Sequence, residues 1–213
     1  MRPRKKKHGA ERLNAVGQYF LNIDETGKAD IAGAFRTVNR LHVEIGCGKG
    51  AYVCAMAKKE PEVSFIAVER VTDVIMLAME NAQENELKNV RFIHCDAADL
   101  VSLLPEESVD VLYINFCDPW PKKRNAKRRL TFRKYLEMYK AFLKHGGVIC
   151  FKTDNRPLFD FSVPEFEAAG FRLTDITNDL HSSEYAAENV MTEYEKNFSQ
   201  KGFTINRLVA HFD

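Results

Sequence analysis

No apolar run in these 213 residues approaches the roughly 18 consecutive apolar residues that mark a membrane-spanning helix. The cationic start leads into Gly9, Ala10, Glu11 and Arg12 without a hydrophobic stretch, so it is not expected to be a secretory signal. Cysteine is scarce: there are five, an odd number, and none form a CxxC pair, which argues against a disulfide framework or a zinc cluster. Four of the five lie in or beside apolar strand-like segments, where a reduced thiol serves as a small hydrophobe. The expectation is a cytosolic, metal-free protein. Internal repeats are absent, and tryptophan occurs once, at Trp120. A net charge of only +1 gives no global excess of either sign.

That near-neutrality conceals two concentrations of charge. Residues 2–7 carry five Lys/Arg and residues 122–134 carry eight, with no acid in either stretch. With those thirteen set aside, eighteen bases face thirty acids, a balance of −12. A chain built this way is suited to meet a polyanion locally. One basic run alone is more simply a solvated face; the second run matters because of its position. The first is read as an arm that adds phosphate contacts.

From residue 41 onward, short runs rich in β-branched and aromatic residues alternate with amphipathic segments. Strands are predicted at 41–45, 63–69, 90–95, 109–116 and 148–152, and helices at 51–59, 71–85, 100–104, 132–144 and 157–169. Runs at 171–179 and 203–211 complete the set. Strand followed by helix, repeated, means an α/β fold, a doubly wound and mostly parallel sheet covered on both faces. Residues 1–40 are read as a basic arm with a helical extension, with helices near 11–20 and 30–39, and residues 41–213 as the catalytic domain.

In such sheets ligands bind beyond the carboxyl ends of the strands. The first strand ends Val43-Glu44-Ile45-Gly46-Cys47-Gly48-Lys49-Gly50, with glycines that allow a tight turn and close approach of a ligand. The loop lacks the spacing of a Walker A motif. A dinucleotide fingerprint, with Ala51 in place of its third glycine, is not excluded by spacing. Charge decides better, because Glu44 is poorly placed beside a pyrophosphate but well placed beside the ammonium and sulfonium of S-adenosylmethionine. Glu69 closes the second strand, 19 residues after Gly50, where an acid can bind ribose hydroxyls. Asp96 follows the third strand and Asp118 the fourth. Each alone is readily a helix cap or a solvated loop residue. Four acids at the ends of four successive strands point to a cationic cofactor.

The fourth strand runs into Asn115-Phe116-Cys117-Asp118-Pro119-Trp120-Pro121 and then into Lys122-Lys123-Arg124-Asn125-Ala126-Lys127-Arg128-Arg129. Two prolines stiffen the turn. Trp120 can stack on a base or wedge the loop against the domain, and packing is the expected role. Cations leaving the rim of a reaction centre bind phosphates, which gives affinity and orientation rather than base identity. Asp154 follows the fifth strand, either facing the pocket or capping the next helix.

Taken together, VEIGCGKG (43–50), the acid at 69, HCDAADL (94–100), DPWPKKRNAKRRL (118–130), FKTDN (151–155) and TEYE (192–195) resemble the bacterial tRNA (guanine-N7)-methyltransferase family. The likeness extends from residue 41 to the end. One departure is Asn125, where that family often has histidine. The resemblance implies methyl transfer to N7 of the guanine at position forty-six of tRNA. It also implies that Glu44, Gly46, Gly48, Gly50, Glu69, Asp96 and Asp118 hold S-adenosylmethionine, that Asp118 is catalytic, and that Lys122, Asp154, Thr192, Glu193, Tyr194 and Glu195 contact substrate. Residues Arg124, Asn125, Ala126, Lys127, Arg128 and Arg129 would touch RNA. Two rival readings are a methyltransferase acting on an exocyclic amine or a small molecule, and a non-catalytic RNA-binding protein on the same fold.

Overall fold

The computed structural model describes residues 8–213; the basic run at 2–7, read above as a phosphate-binding arm, lies outside the described residues. The chain divides into two compact units, Met1–Leu104 and Pro105–Asp213.

The first unit contains β1 (Leu41–Ile45), β2 (Ser64–Val68) and β3 (Val90–Ile93), all parallel, in the order β3-β2-β1. Every residue of β1 and β2 is buried, as expected of strands covered on both faces. Helix α3 (Ala51–Lys59) follows β1, and α4 (Thr72–Glu84) follows β2; α5 (Leu100–Leu103) closes the unit after β3. The two longer helices meet closely, because a Cβ on Gly50 would lie 2.9 Å from Cβ of Ala78.

The N-terminal extension docks on this unit. It begins with α1 (Gly9–Ala15), whose Arg12 guanidinium grips Glu80 at 2.6 and 2.7 Å. The helix predicted near 11–20 is interrupted at Val16, where the chain passes into one 3₁₀ turn at Gly17–Tyr19. Tyr19 packs edge-on to Phe92, and the Leu21 amide donates to the Phe92 carbonyl. The helix predicted near 30–39 shrinks to α2 (Ile31–Ala34), capped by Asp30 and ended where Phe35 turns extended to bury its ring under Arg91.

In the second unit β4 (Val109–Asn115) runs parallel to β5 (Leu143–Thr153). β7 (Asn206–His211) then pairs antiparallel with both β5 and the edge strand β6 (Arg172–Thr177), giving the order β4-β5-β7-β6. Helix α6 (Arg133–Lys140) stops short of the predicted 132–144. Leu136, Tyr139 and Leu143 share a helical period, yet Leu143 pairs with Val109 as the first residue of β5. Helix α7 (Arg156–Ala168) covers the sheet with Phe159 and Phe166, both packed against Phe151 of β5. Helix α8 (Glu193–Ser199) lies in the long connection between β6 and β7. No helix among the described residues is long and apolar enough to cross a membrane.

Candidate active site

In the first unit the end of β1 breaks into a loop whose three glycines all have positive φ: 76° at Gly46, 58° at Gly48 and 77° at Gly50. Side-chain-bearing residues rarely adopt this conformation. The amides of Gly46 and Cys47 both donate to the carbonyl of Val68, which fastens the loop to the end of β2. Glu69 tightens it further, accepting from the Gly48 amide at 3.3 Å and from the Val71 amide, ahead of α4, at 2.9 Å. A Cβ built on Gly46 or Gly48 would meet nothing within 4 Å, so the loop backbone is bare on that side. Glu44 is buried near the end of β1.

The buried Cys47 thiol lies in the loop that follows Glu44. Its pKa is pushed well up, first by burial and then by the negative charges of Glu44 and Glu69. Asp96 is exposed, and its helix-cap reading is realised: Oδ1 accepts from Ala98 N at 3.1 Å while Asp99 returns the favour to the Asp96 amide. Capping uses one lone pair of a carboxylate that offers about four.

In the second unit β4 ends in a strained turn. Phe116 (φ 52°) and Trp120 (φ 42°) occupy the left-handed region without being glycine, a cost of order 1–3 kcal/mol each that the surroundings must sustain. Arg129 is the main restraint. Its guanidinium donates to the carbonyls of Pro119 (3.0 Å) and Trp120 (3.1 Å) and lies 4.2 Å from the centre of the Phe161 ring. Arg128 sits 4.9 Å over the Trp120 ring. Trp120 is half-buried with Arg128 over its ring, and Arg129 is half-buried structure rather than an outward-reaching cation. Between these anchors, Asp118 is exposed, and Cys117 beside it has a pKa pushed up to about 12 by burial and by the Asp118 charge. Lys122, Arg124 and Lys127 face solvent on and before the 3₁₀ turn Lys123–Arg128, while Asn125 and Ala126 are half-buried.

Asp154 does not cap α7; Asn155 does, accepting from Leu158 N at 2.9 Å. Asp154 instead accepts from the Tyr194 hydroxyl at 3.2 Å, which links the end of β5 to the first turn of α8. Burial and then the Asp154 charge push the Tyr194 pKa up to about 12. Thr192 and Glu195 form a capping box around the start of α8. Glu195, which the resemblance implies to be a substrate contact, is turned fully inward. Its carboxylate receives Lys152 Nζ (2.9 Å), His181 Nε2 (2.8 Å) and Asn189 Nδ2 (2.6 Å). Burial alone would raise its pKa; the charge of Lys152 and the three donors outweigh burial and hold it below the usual carboxylate value. With its oxygens engaged this way, Glu195 positions the segment, and the outward-facing groups are Glu193 and Tyr194.

Residues 38–208 match the family model described as "Putative methyltransferase". A curated tRNA (guanine-N(7)-)-methyltransferase from Lachnoclostridium phytofermentans is 41% identical over 202 residues, covering 95% of this chain and 94% of that one. Its counterpart in Streptococcus pneumoniae strain 70585 is 41% identical over 212 residues, covering 100% of both. The chain belongs to the tRNA (guanine-N7)-methyltransferase family. Among solved structures, a SAM-dependent methyltransferase from Aquifex aeolicus superposes with a TM-score of 0.58 at 13% identity, covering 98% of this chain and 100% of that one. The 16S rRNA methyltransferase KamB gives 0.67 at 14%, covering 90% and 96%. At such identities the likeness speaks for the fold, the doubly wound, mostly parallel α/β arrangement of class I SAM-dependent methyltransferases.

For a member of this family, four residues with structural claims on the site were not singled out by the sequence reading: Lys152, His181, Asn189 and Phe116. Lys152 alone carried a legible signal. A lysine near the end of the apolar strand Val148-Ile149-Cys150-Phe151 is buried if the strand is central, and a buried ammonium requires an acid partner. His181 and Asn189 lie in a loop without periodicity, and nothing in their surroundings marks them.

Proposed function

We propose that the chain transfers the methyl group of S-adenosylmethionine to N7 of the guanine at position forty-six in the variable loop of tRNA, in the cytoplasm. The observation that carries this reading is identity of 41% across the full length of a tRNA (guanine-N(7)-)-methyltransferase. The residues fit the cofactor chemically. Glu69 is bonded to the Gly48 amide and Glu44 lies at the end of β1 before the same loop, whose bare glycine backbone permits close approach, which suits a ligand carrying an ammonium, a sulfonium and ribose hydroxyls. Asp96 supplies an exposed carboxylate after β3 for the adenine amino group.

S-adenosylmethionine supplies an electrophilic methyl on a positively charged sulfur. Guanine N7 presents an in-plane lone pair, so no proton must be removed before attack and no strong general base is required. The work of the protein is alignment and accommodation of the positive charge that moves onto the purine. Asp118 accepts from the N–H edge of the guanine and favours that charge. Asp154 and Tyr194 form a second polar pair on the substrate side, with Thr192 and Glu195 fixing the turn that presents Tyr194. Lys122, Arg124 and Lys127 meet phosphates.

The test is mass spectrometry of nucleosides after incubating protein, isotope-labelled cofactor and unmodified tRNA. The label is expected in 7-methylguanosine, and tRNA made with 7-deazaguanine at the target position is expected to accept none. Label on an exocyclic amine, or undiminished transfer to the deaza substrate, would overturn the reading.

A further inference from the structure

Four aromatic rings run in sequence from the strained turn after β4 out to solvent. The Phe116 ring, two residues before Asp118, lies 5.1 Å from that of Tyr194. Tyr194 stacks on Phe198 at 4.0 Å with the planes 15° apart, and Phe198 meets Phe203 at 5.4 Å. Tyr194 is 41% and Phe203 51% exposed, with the half-buried Phe198 between them. One exposed ring would be ordinary; two, joined through Phe198, form an aromatic patch, which is more informative.

The backbone that carries the outer ring is tied to the end of α8. The Phe203 amide donates to the Phe198 carbonyl at 3.2 Å and the Gly202 amide to the Ser199 carbonyl at 2.9 Å, while Gly202 has φ 82°. This is the Schellman closure of α8, in which an apolar contact between the residue after the glycine and one in the last turn is usual. That contact accounts for one edge of Phe203 and leaves the remainder of the ring presented at a fixed angle. Lys201, two residues before Phe203, holds its Nζ 5.1 Å over the neighbouring Phe198 ring, and Lys196 is exposed on α8. The one acid on the outer surface of α8, Glu193, is at the helix's opposite end.

An exposed π-face on a tied-down backbone, with a lysine ammonium over the adjoining ring, matches an unpaired nucleotide, whose base stacks and whose phosphate pairs with lysine. A buried apolar partner would not call for the lysines, and duplex backbone would not call for the ring. We infer that Phe203 is a stacking platform for an unpaired base of the tRNA near the target guanine, with Lys201 and Lys196 beside the phosphate. The inference rests on the tRNA-methylating function proposed above and extends the substrate surface beyond the 192–195 segment.

The experiment compares wild type with Phe203→Ala, Phe203→Leu and Phe203→Trp, and takes Ile176→Ala, equally exposed at 51% on β6, as a surface control. The tRNA carries 2-aminopurine beside the target guanine. Removal of one stacking ring is expected to raise KM for tRNA about ten-fold, with a smaller change in kcat and none in KM for the cofactor. Phe203→Leu is expected to fail like Phe203→Ala, because it keeps the apolar surface but lacks the π-face, and Phe203→Trp is expected to restore binding. Binding to wild type quenches the 2-aminopurine; binding to Phe203→Ala does not. The inference is overturned if Phe203→Leu matches wild type in KM and quenching. It is equally overturned if Phe203→Ala alters only the sedimentation of the free protein, which would assign the ring to a second copy. A wild-type protein that binds tRNA with quenching but places no label on N7 would refute the proposed reaction and leave the platform standing.

Discussion

Replacing Lys152 by methionine tests whether the inward-turned Glu195 is held by charge. In the folded protein the Lys152 and Glu195 side chains are 6% and 0% exposed, and their charged atoms lie 2.9 Å apart. Removing one partner of such a pair strands the other charge in a poorly solvated site, which typically costs about 3–5 kcal/mol. His181 and Asn189 still donate to the carboxylate in the variant, so the lower end applies. For a chain of this size each kcal/mol moves Tm by about 2–4 °C, giving an expected drop of roughly 6–12 °C. The pH dependence gives a second, sharper readout. In the wild type Glu195 is held below its ordinary value of 4.5, so it contributes stability above that value and loses it as pH falls through the folded pKa. Without Lys152 burial dominates and the folded pKa rises. The linkage then changes sign: the variant is most favoured with Glu195 protonated and loses stability as pH rises through the raised pKa. Thermal melts followed by circular dichroism from pH 3 to 8 are therefore expected to show the wild type gaining stability up to about 4.5 and the variant losing it above that value. Adding Glu195→Gln to the variant is expected to recover part of the loss and flatten the slope. A Tm drop under about 2 °C, or parallel slopes, would show that the carboxylate is not held by this ion pair.

Asp118→Ala is expected to abolish methyl transfer in a cofactor-saturated assay while leaving Tm within about 2 °C, since substitution of an exposed side chain usually changes stability by about 0.5 kcal/mol or less; near wild-type turnover would remove it from the chemistry. The basic run is expected to split in two. Neutralising exposed Arg124 and Lys127 should weaken tRNA binding and reduce the slope of log K against log salt by about 0.7–0.9 per charge, measured by filter binding at several salt concentrations. Arg129→Gln should instead loosen the Pro119–Trp120 turn, lowering kcat and Tm with a smaller change in salt slope; the reverse partition would refute the assignment of Arg129 as a tie. Deleting residues 2–7 is expected to lower tRNA affinity without changing kcat at saturating tRNA, and an equal affinity would dispose of the arm.

What could be read from the sequence follows what is locally encoded. Strands buried on both faces leave near-continuous apolar runs, and α3 begins where Gly50 permits the turn, so β1, β2 and α3 fall within a residue or so of their predicted bounds. The errors arise where a residue's partner is distant in the chain. Leu143 completes a helical period with Leu136 and Tyr139, and only its pairing with Val109, 34 positions earlier, makes it strand. Asp154 and Asn155 are equally good caps by type, and it is the Tyr194 hydroxyl, 40 positions on, that engages the first while the second takes the helix amide. The basic run is the clearest case. Composition treats Arg124, Lys127, Arg128 and Arg129 alike, whereas in the fold Arg129 is half-buried against Phe161 and the Pro119 and Trp120 carbonyls, while Arg124, Lys127 and Arg128 stay exposed, the last with its guanidinium over Trp120. A motif therefore identifies the residue types a reaction needs, but not which of them meet the substrate and which hold the others still. At Glu195 that distinction is complete: it is an acid in a substrate-binding motif, and in the fold its charge faces Lys152.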